Sequence, residues 1–120
     1  MTDDAPIEKL PPRADVPAGD TWDLASLFGS DEEWEAALAA WEARIPAFAA
    51  LAGTLGRSAE SLAAALGMEL DVERAGDRIG TYAFLRASED QTAPGPQRMT
   101  GRFRHVATAF AEKASFMRPE

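Results

Sequence analysis

The stretch Asp20-Thr-Trp-Asp-Leu-Ala-Ser-Leu-Phe-Gly-Ser-Asp-Glu-Glu-Trp34 contains a complete start signal for an α-helix. Ser30 stands at the N-cap position and Glu33 follows three residues later. Each side chain can therefore satisfy a backbone N–H group that the first helical turn leaves unpaired. Asp31 and Glu32 add negative charge at the positive end of the same helix. This stretch predicts that a helix begins at residue 31.

Four large apolar side chains precede this cap in a short acidic segment: Trp22, Leu24, Leu27 and Phe28. Such residues predict a strap pinned onto a hydrophobic core, because large apolar side chains gain free energy when they leave water. The alternative is an ordinary buried loop before an ordinary helix.

Apolar residues at helical spacing continue beyond the cap. One stripe, with steps of three and four, consists of Trp34, Leu38, Trp41, Ile45 and Phe48. It predicts a first helix over residues 31–51. Pro46 lies inside this helix and should kink or weaken it near residues 42–45, because proline lacks the N–H group and clashes one turn back. Gly53 and Gly56 should end it.

A second helical region begins after Ser58, which stands at an N-cap position. Its apolar residues fall into two sets: Leu62, Leu66 and Leu70, then Ile79, Tyr82 and Leu85. Gly67, Gly76 and Gly80 are poor helix formers, each costing up to about 1 kcal/mol relative to alanine. We therefore predict a short helix, a break near residues 67–71, and a longer helix that ends near Ser88.

The turn Thr92-Ala-Pro-Gly-Pro96 precedes a last helix, whose first turn accommodates the prolines. Its apolar stripe consists of Met99, Phe103, Val106, Phe110, Ala114 and Met117. No segment shows sustained alternation of apolar and polar residues, so no strand is expected. The predicted fold class is all-α, with antiparallel helices packed through facing stripes.

Composition limits the protein to one domain. The chain has 120 residues, 46% of them hydrophobic and 27% charged, which is too apolar for a wholly disordered chain. Four prolines before Trp22 predict an extended or disordered tail over residues 1–21, and the helical domain then covers residues 22–120. Cysteine is absent, so disulfides and thiolate sites are excluded. With no secretory signal and no stretch long enough to span a membrane, we expect a cytoplasmic protein without a membrane partner.

The net charge of −8 is unevenly distributed. Residues 1–35 carry ten acids and two bases, whereas residues 97–120 carry two acids and five bases. An acidic protein with so small a basic group is not expected to bind nucleic acid. The basic group itself consists of Arg98, Arg102, Arg104 and His105. We interpret it as a solvated helix face or as a patch that pairs with the acidic front of the chain.

The residues suited to chemistry do not form a recognisable catalytic motif. His105 is the only histidine, so neither a two-histidine zinc site nor an independent serine triad can be assembled. The carboxylates of residues 31–33 are explained by the helix dipole, and those of Asp71, Glu73 and Asp77 by a solvated face. We predict no catalytic, cofactor-binding or metal-binding residue in the chain.

Two sets of side chains have both a binding and a packing interpretation. Tyr82 and Arg86 lie one turn apart and can meet a ligand, or they are a core tyrosine and an arginine paired with Glu89 or Asp90. The three tryptophans can form a ligand platform, or they anchor the core. The packing interpretation is favoured in both cases. For the tryptophans the reason is that two of them lie on the apolar stripe of the first helix.

Several segments, taken in order, resemble the amino-terminal part of oligoendopeptidase F, a zinc metallopeptidase of the thimet oligopeptidase clan. They are Leu10-Pro-Pro-Arg13, Asp20-Thr-Trp-Asp-Leu24, Leu27-Phe28, Ser30-Asp-Glu-Glu-Trp34, Ile79-Gly-Thr-Tyr-Ala-Phe-Leu-Arg-Ala-Ser-Glu-Asp90 and Ala114-Ser-Phe-Met-Arg-Pro-Glu120. The resemblance covers residues 10–120. No segment is a catalytic motif, so the specificity comes from their order and spacing.

The resemblance implies an incomplete part of a larger, helical peptidase body. In that family an H-E-x-x-H motif and a further acid bind zinc several hundred residues beyond this region, in a body enclosing a channel that admits short peptides. This chain would then supply channel wall and substrate gating, would need the missing catalytic domain as its partner, and would be inactive alone. The alternatives are a free-standing small helical domain that binds a partner or itself and, more weakly supported, a nucleic-acid-binding bundle.

Overall fold

A computed structural model describes residues 6–119 of the chain and contains four α-helices in that range. The helices are α1 (Asp31–Glu42), α2 (Ile45–Ala49), α3 (Ala59–Glu89) and α4 (Pro94–Lys113). Three short 3-10 turns precede them, at Arg13–Asp15, Ala18–Asp20 and Leu24–Ser26. No strand occurs among the described residues, and the predicted all-α class is confirmed.

The start of α1 follows the predicted cap with one difference. The Glu33 N–H group donates to Ser30 Oγ at 3.2 Å. The Glu33 carboxylate reaches back one residue further than expected and accepts from the Gly29 N–H group at 2.7 Å. Both contacts satisfy backbone donors near the helix start, so the two side chains still act as a reciprocal pair.

The predicted weakening around Pro46 is a complete break between two helices. α1 ends at Glu42, and α2 starts at Ile45 with Pro46 in its first turn. Proline is tolerated there because the first-turn N–H groups have no helical acceptor. After α2 the chain turns at Gly53, whose φ of +80° suits glycine.

α3 is one uninterrupted helix, so the predicted break near residues 67–71 is wrong. Ser58 caps it as expected, accepting from the Ser61 N–H group at 3.0 Å. The flanking residues are alanines, leucines, Met68 and Glu69, which are strong helix formers. Ala65 and Val72 are buried on either side of Gly67. The propensities and packing together outweigh the cost of one glycine.

Gly76 and Gly80 are sites of close helix packing. A Cβ atom on Gly76 would lie 2.7 Å from Cζ2 of Trp41, and one on Gly80 would lie 2.6 Å from Cζ of Phe103. Neither distance leaves room for a methyl group. These two glycines therefore let α1 and α4 pack directly against the backbone of α3.

The core lies where α1, α2 and α4 pack on α3. Trp34 and Trp41 are buried, and their indole N–H groups donate to the carbonyl oxygens of Ile79 at 2.8 Å and Val72 at 3.0 Å. The Trp41 ring packs against Phe110 and stacks on Phe103, with ring centroids 4.7 and 5.7 Å away. Two of the three tryptophans are therefore core anchors, as predicted.

The predicted role of Trp22 as a core anchor is wrong, since its side chain is 71% exposed. The segment is held instead by Phe28, which is buried and meets Tyr82 edge-on at 5.4 Å, with Leu24 and Leu27 packed partly against the core. Helical spacing placed the other two tryptophans, but Trp22 lies before the 3-10 turn of Leu24–Ser26, where no periodicity indicates which way a side chain points.

Candidate functional site

A polar cluster joins the start of α1 to the end of α3. The Tyr82 hydroxyl donates to Asp31 Oδ1 at 2.7 Å. Arg86 donates to both carboxylate oxygens of Asp31, from Nε at 3.0 Å and from Nη2 at 2.9 Å. This two-point contact fixes the orientation of the guanidinium group, because its planar fork matches the carboxylate. Tyr82 and Arg86 thus use one face of α3 to hold the first residue of α1.

The cluster extends to Arg13 in the segment that precedes α1. Glu89 accepts from Arg86 Nη1 at 3.0 Å and from Arg13 Nη2 at 2.8 Å. Two carboxylates and two guanidinium groups therefore alternate, and their formal charges cancel. The paired arginine predicted for Glu89 is confirmed, whereas Asp31 is a partner that the sequence analysis had assigned only to the helix dipole.

The electrostatics of this cluster favour a structural role. The hydrogen bond from Arg86 lowers the pKa of Asp31, and the contact with Asp31 raises the pKa of Arg86. Burial, followed by the hydrogen bond to Asp31, raises the pKa of Tyr82 to about 12. At neutral pH Asp31 is ionised and Tyr82 is protonated, so neither group exchanges a proton there. The packing interpretation of Tyr82 and Arg86 is the one that the contacts support.

A groove of about 270 Å³ lies on the other side of α3, between α3 and α4. Its apolar lining includes Trp41, Phe48, Phe103 and Phe110, while α4 and the residue that follows it contribute small side chains at Ala107, Ala111 and Ala114. Glu69, Glu73 and Asp77 of α3 form its acidic wall. The groove continues past Gly80 to Phe84 through a second depression that shares Gly76, Asp77 and Phe103 with the first. The groove is concave and mostly apolar, with polar groups on one side. Binding sites typically have these properties.

Two residues of the acidic wall, Glu73 and Asp77, also belong to a longer, largely exposed row on α3. Steps of three and four residues place seven residues along one side of the helix: Leu62, Leu66, Leu70, Glu73, Asp77, Gly80 and Phe84. The exposed fractions of the four large apolar side chains are 42% for Leu62, 46% for Leu66, 52% for Leu70 and 65% for Phe84. The predicted leucine face of this helix therefore faces solvent in the described part of the chain. The groove could not be predicted from the sequence, because it forms only where α3 and α4 lie side by side.

The basic group on α4 pairs in part with the acidic front of the chain. Arg102 forms an ion pair with Glu35 of α1, and its guanidinium group lies 5.9 Å from the centre of the Trp34 ring. His105 and Arg104 are exposed. This arrangement confirms the predicted pairing of the patch for Arg102.

Residues 6–119, which the structure describes, do not fit a zinc site of the ordinary kind. The single histidine, His105, is exposed on α4, and zinc sites draw on several histidine, cysteine or carboxylate ligands that converge. No group of three such side chains converges among residues 6–119. Any zinc that the family resemblance implies would need ligands supplied from outside the described residues.

Sequence comparison with known proteins gives two relatives of the same kind. The chain is 31% identical over all of its 120 residues to oligopeptidase PepF of Bacillus subtilis, and it covers 18% of that protein. It is 29% identical over 99 residues, or 82% of its length, to group B oligopeptidase PepB of Streptococcus agalactiae, and it covers 16% of that protein. The chain thus spans less than a fifth of the length of either relative. No protein-family profile and no solved structure matches it.

The helical fold and these similarities define a peptidase-related helical segment. More narrowly, the chain is an oligoendopeptidase F-like segment, and the resemblance inferred from its sequence motifs is confirmed. Within residues 6–119, no helix combines the length and apolarity needed to cross a membrane.

Proposed function

We propose that this chain is the amino-terminal helical portion of an oligoendopeptidase F-like zinc peptidase that hydrolyses short peptides. The observation that supports it is the similarity of all 120 residues to a portion of oligopeptidase PepF. The segment supplies helices and surface, and the hydrolytic residues and zinc belong to the remainder of a longer, cytoplasmic polypeptide. Residues 1–21 form its leading tail and residues 22–120 its helical domain.

Within that assembly, we assign this segment to the wall of a channel that receives peptides. The α3–α4 groove supports this assignment, because a concave surface with an apolar lining and three carboxylates on one side can contact an extended or helical peptide. The polar cluster around Asp31 supports the rigidity that a wall requires, since it ties the leading segment, α1 and α3 together. On this proposal the segment also contributes to substrate gating, because a narrow channel excludes folded proteins.

The first test is to extend the coding DNA beyond Glu120 and to express the longer protein. An in-frame continuation with an H-E-x-x-H motif, and chelator-sensitive cleavage of a quenched fluorescent oligopeptide, are the expected results. The 120-residue chain alone should neither retain stoichiometric zinc nor cleave the peptide. A stop codon directly after Glu120, with a stable protein of that size in cells, would contradict the proposal.

A second candidate function is a free-standing helical domain that binds a partner or a second copy of itself. The exposed leucines Leu62, Leu66 and Leu70, which lie one turn apart on α3, favour it, because exposed apolar patches mark interaction sites. The same DNA sequence distinguishes the two, since this candidate does not require any continuation of the chain.

A further inference from the structure

We propose that the α3–α4 groove and the exposed row on α3 form a docking site for a cationic amphipathic helix. The partner has aliphatic side chains at both ends of its docking face and lysine or arginine side chains in the middle. This inference concerns the surface of the 120-residue chain itself, so its test is independent of peptidase activity.

The surface is long and grooved enough to accommodate a second helix. Leu62 and Phe84 mark the ends of the row, and they lie 22 positions apart in α3, which corresponds to about 33 Å along the helix axis. Side chains one turn apart form ridges that fit the grooves of a second helix. The opposite side of the groove has small side chains at Ala107, Ala111 and Ala114. They protrude little, so a second helix can approach closely.

The charges on the surface define the partner. Carboxylates follow one another at one-turn intervals at Glu69, Glu73 and Asp77. None of these carboxylates has an ion-pair or hydrogen-bond partner among residues 6–119. The arginine next to Asp77 is engaged elsewhere, because Arg78 donates to the Leu27 carbonyl and lies 4.3 Å from the centre of the Phe28 ring. Like charges one turn apart repel each other. A row of lysine or arginine side chains would relieve that repulsion at the point where apolar contacts are also made.

The order of residue types along the row adds specificity. Leucines lie at one end, carboxylates in the middle and Phe84 at the other end. A partner that is apolar along its whole face would bury three carboxylates without counter-charges, which is costly. An anionic partner would meet like charges. The apolar–cationic–apolar pattern is therefore the chemistry that this surface fits.

A second copy of the chain fits the surface poorly. In a two-fold symmetric dimer the same patch meets itself, which would bring Glu69, Glu73 and Asp77 of one copy close to the same group of carboxylates in the other. Desolvating six carboxylates together opposes such a contact. Because salt screens these charges, self-association through this face at low salt is an outcome that would overturn the proposal.

The test measures binding of a fluorescently labelled designed helix to the 120-residue chain by anisotropy. The probe has leucines at both ends of one face and three lysines, one turn apart, at its centre. A matched probe has glutamates in place of the lysines. The lysine probe should bind at least tenfold more tightly than the glutamate probe, and high salt should reduce this difference, because salt screens exposed charges.

Two charge-reversed triple variants locate the binding site. Glu69→Lys, Glu73→Lys and Asp77→Lys together should weaken binding of the lysine probe at least tenfold and strengthen binding of the glutamate probe. The control replaces Asp15, Asp20 and Asp71 with lysine, which changes the net charge equally at exposed positions away from the groove. This control should leave the preference for the lysine probe in place. Both variants alter only surface carboxylates, and their circular dichroism verifies that the helices are retained.

Three results would overturn the proposal. The first is equal binding of both probes by the unmodified chain, a comparison that does not depend on any variant. The second is an equal loss of binding in both triple variants, which would indicate attraction to net charge alone. The third is a dimer that forms at low salt without the probe and that the lysine probe does not dissociate, which would make a second copy the occupant.

Discussion

Tyr82 shows how a single side chain serves the core and a charged cluster together. Its ring is buried against Phe28, while its hydroxyl lies 2.7 Å from Asp31 Oδ1. Burial of the ring stabilises the fold. The hydroxyl donates a hydrogen bond to the carboxylate of Asp31, which also accepts from Arg86. The residue therefore links packing on α3 to the orientation of the first residue of α1.

The ionisation of Tyr82 can be measured directly, because it is the only tyrosine in the chain. Its pKa is raised to about 12, firstly by burial and secondly by the hydrogen bond to Asp31. An absorbance titration of tyrosinate should give an apparent pKa near that value in the folded protein and about 10 in denaturant. In Asp31→Asn the pKa should fall part of the way towards 10, because burial remains. A folded-state pKa close to 10 would mean that the ring is not buried as described.

Asp31 makes stability depend on pH in the acid range. Its pKa is lowered in the folded state by the hydrogen bond from Arg86, so its contribution is fully present above the unfolded pKa of about 3.9. The contribution is lost as pH falls through the lower, folded pKa. Denaturant unfolding at several pH values should show that Asp31→Asn is less stable than the parent at neutral pH and that the difference shrinks below about pH 4. An Asp71→Asn control, at an exposed position away from the cluster, should not show this convergence.

At the scale of the helices, the start of a helix depends on residues close in sequence and can be predicted from them. The pairing of side chains between helices depends on tertiary contacts. Ser30, Ser58 and Pro46 act within one or two turns of the chain, and each starts or interrupts a helix as the sequence predicts. The pairing of Asp31 with Arg86 spans 55 residues and depends on how α1 crosses α3. The groove has the same origin. Neither it nor the true role of the glycines in α3 could be derived from periodicity alone.

The glycines of α3 should respond to alanine in opposite directions. Gly67→Ala should stabilise the protein by up to about 1 kcal/mol, because alanine favours helix and, apart from the adjacent residues and the local backbone of α3, no atom lies within 4 Å of the added Cβ position. Gly76→Ala should destabilise it by about 1–3 kcal/mol, since its Cβ would lie 2.7 Å from the buried Trp41 ring and overpacking exceeds the gain in propensity. Denaturant unfolding of both variants tests the pair. Stabilisation by both substitutions would show that α1 does not pack this closely on α3.

At the scale of the whole molecule, the chain is more extended than a compact domain of its length. The described fold has a radius of gyration of 20.0 Å and extents of 71 × 37 × 23 Å. A compact domain of this size would have a radius of gyration of about 14 Å. A long α3, packed against shorter helices and a leading segment attached through Arg13, leaves apolar surface on the row from Leu62 to Phe84. The row is exposed because the shorter helices do not cover all sides of α3.

Salt should therefore promote, rather than prevent, self-association of the isolated chain at high concentration. The exposed leucines favour association, whereas a net charge of −8 and the row of Glu69, Glu73 and Asp77 oppose it. Raising salt from about 0.01 M to about 1 M shortens the Debye length from about 30 Å to about 3 Å and removes much of that repulsion. Sedimentation should show a monomer at low salt and larger species at high salt. Replacing Leu66 and Leu70 with lysine should suppress the larger species, whereas lysine at exposed Ala36 and Ala39 should not. Association that weakens with salt would instead indicate pairing between the acidic front of one chain and the basic α4 of another.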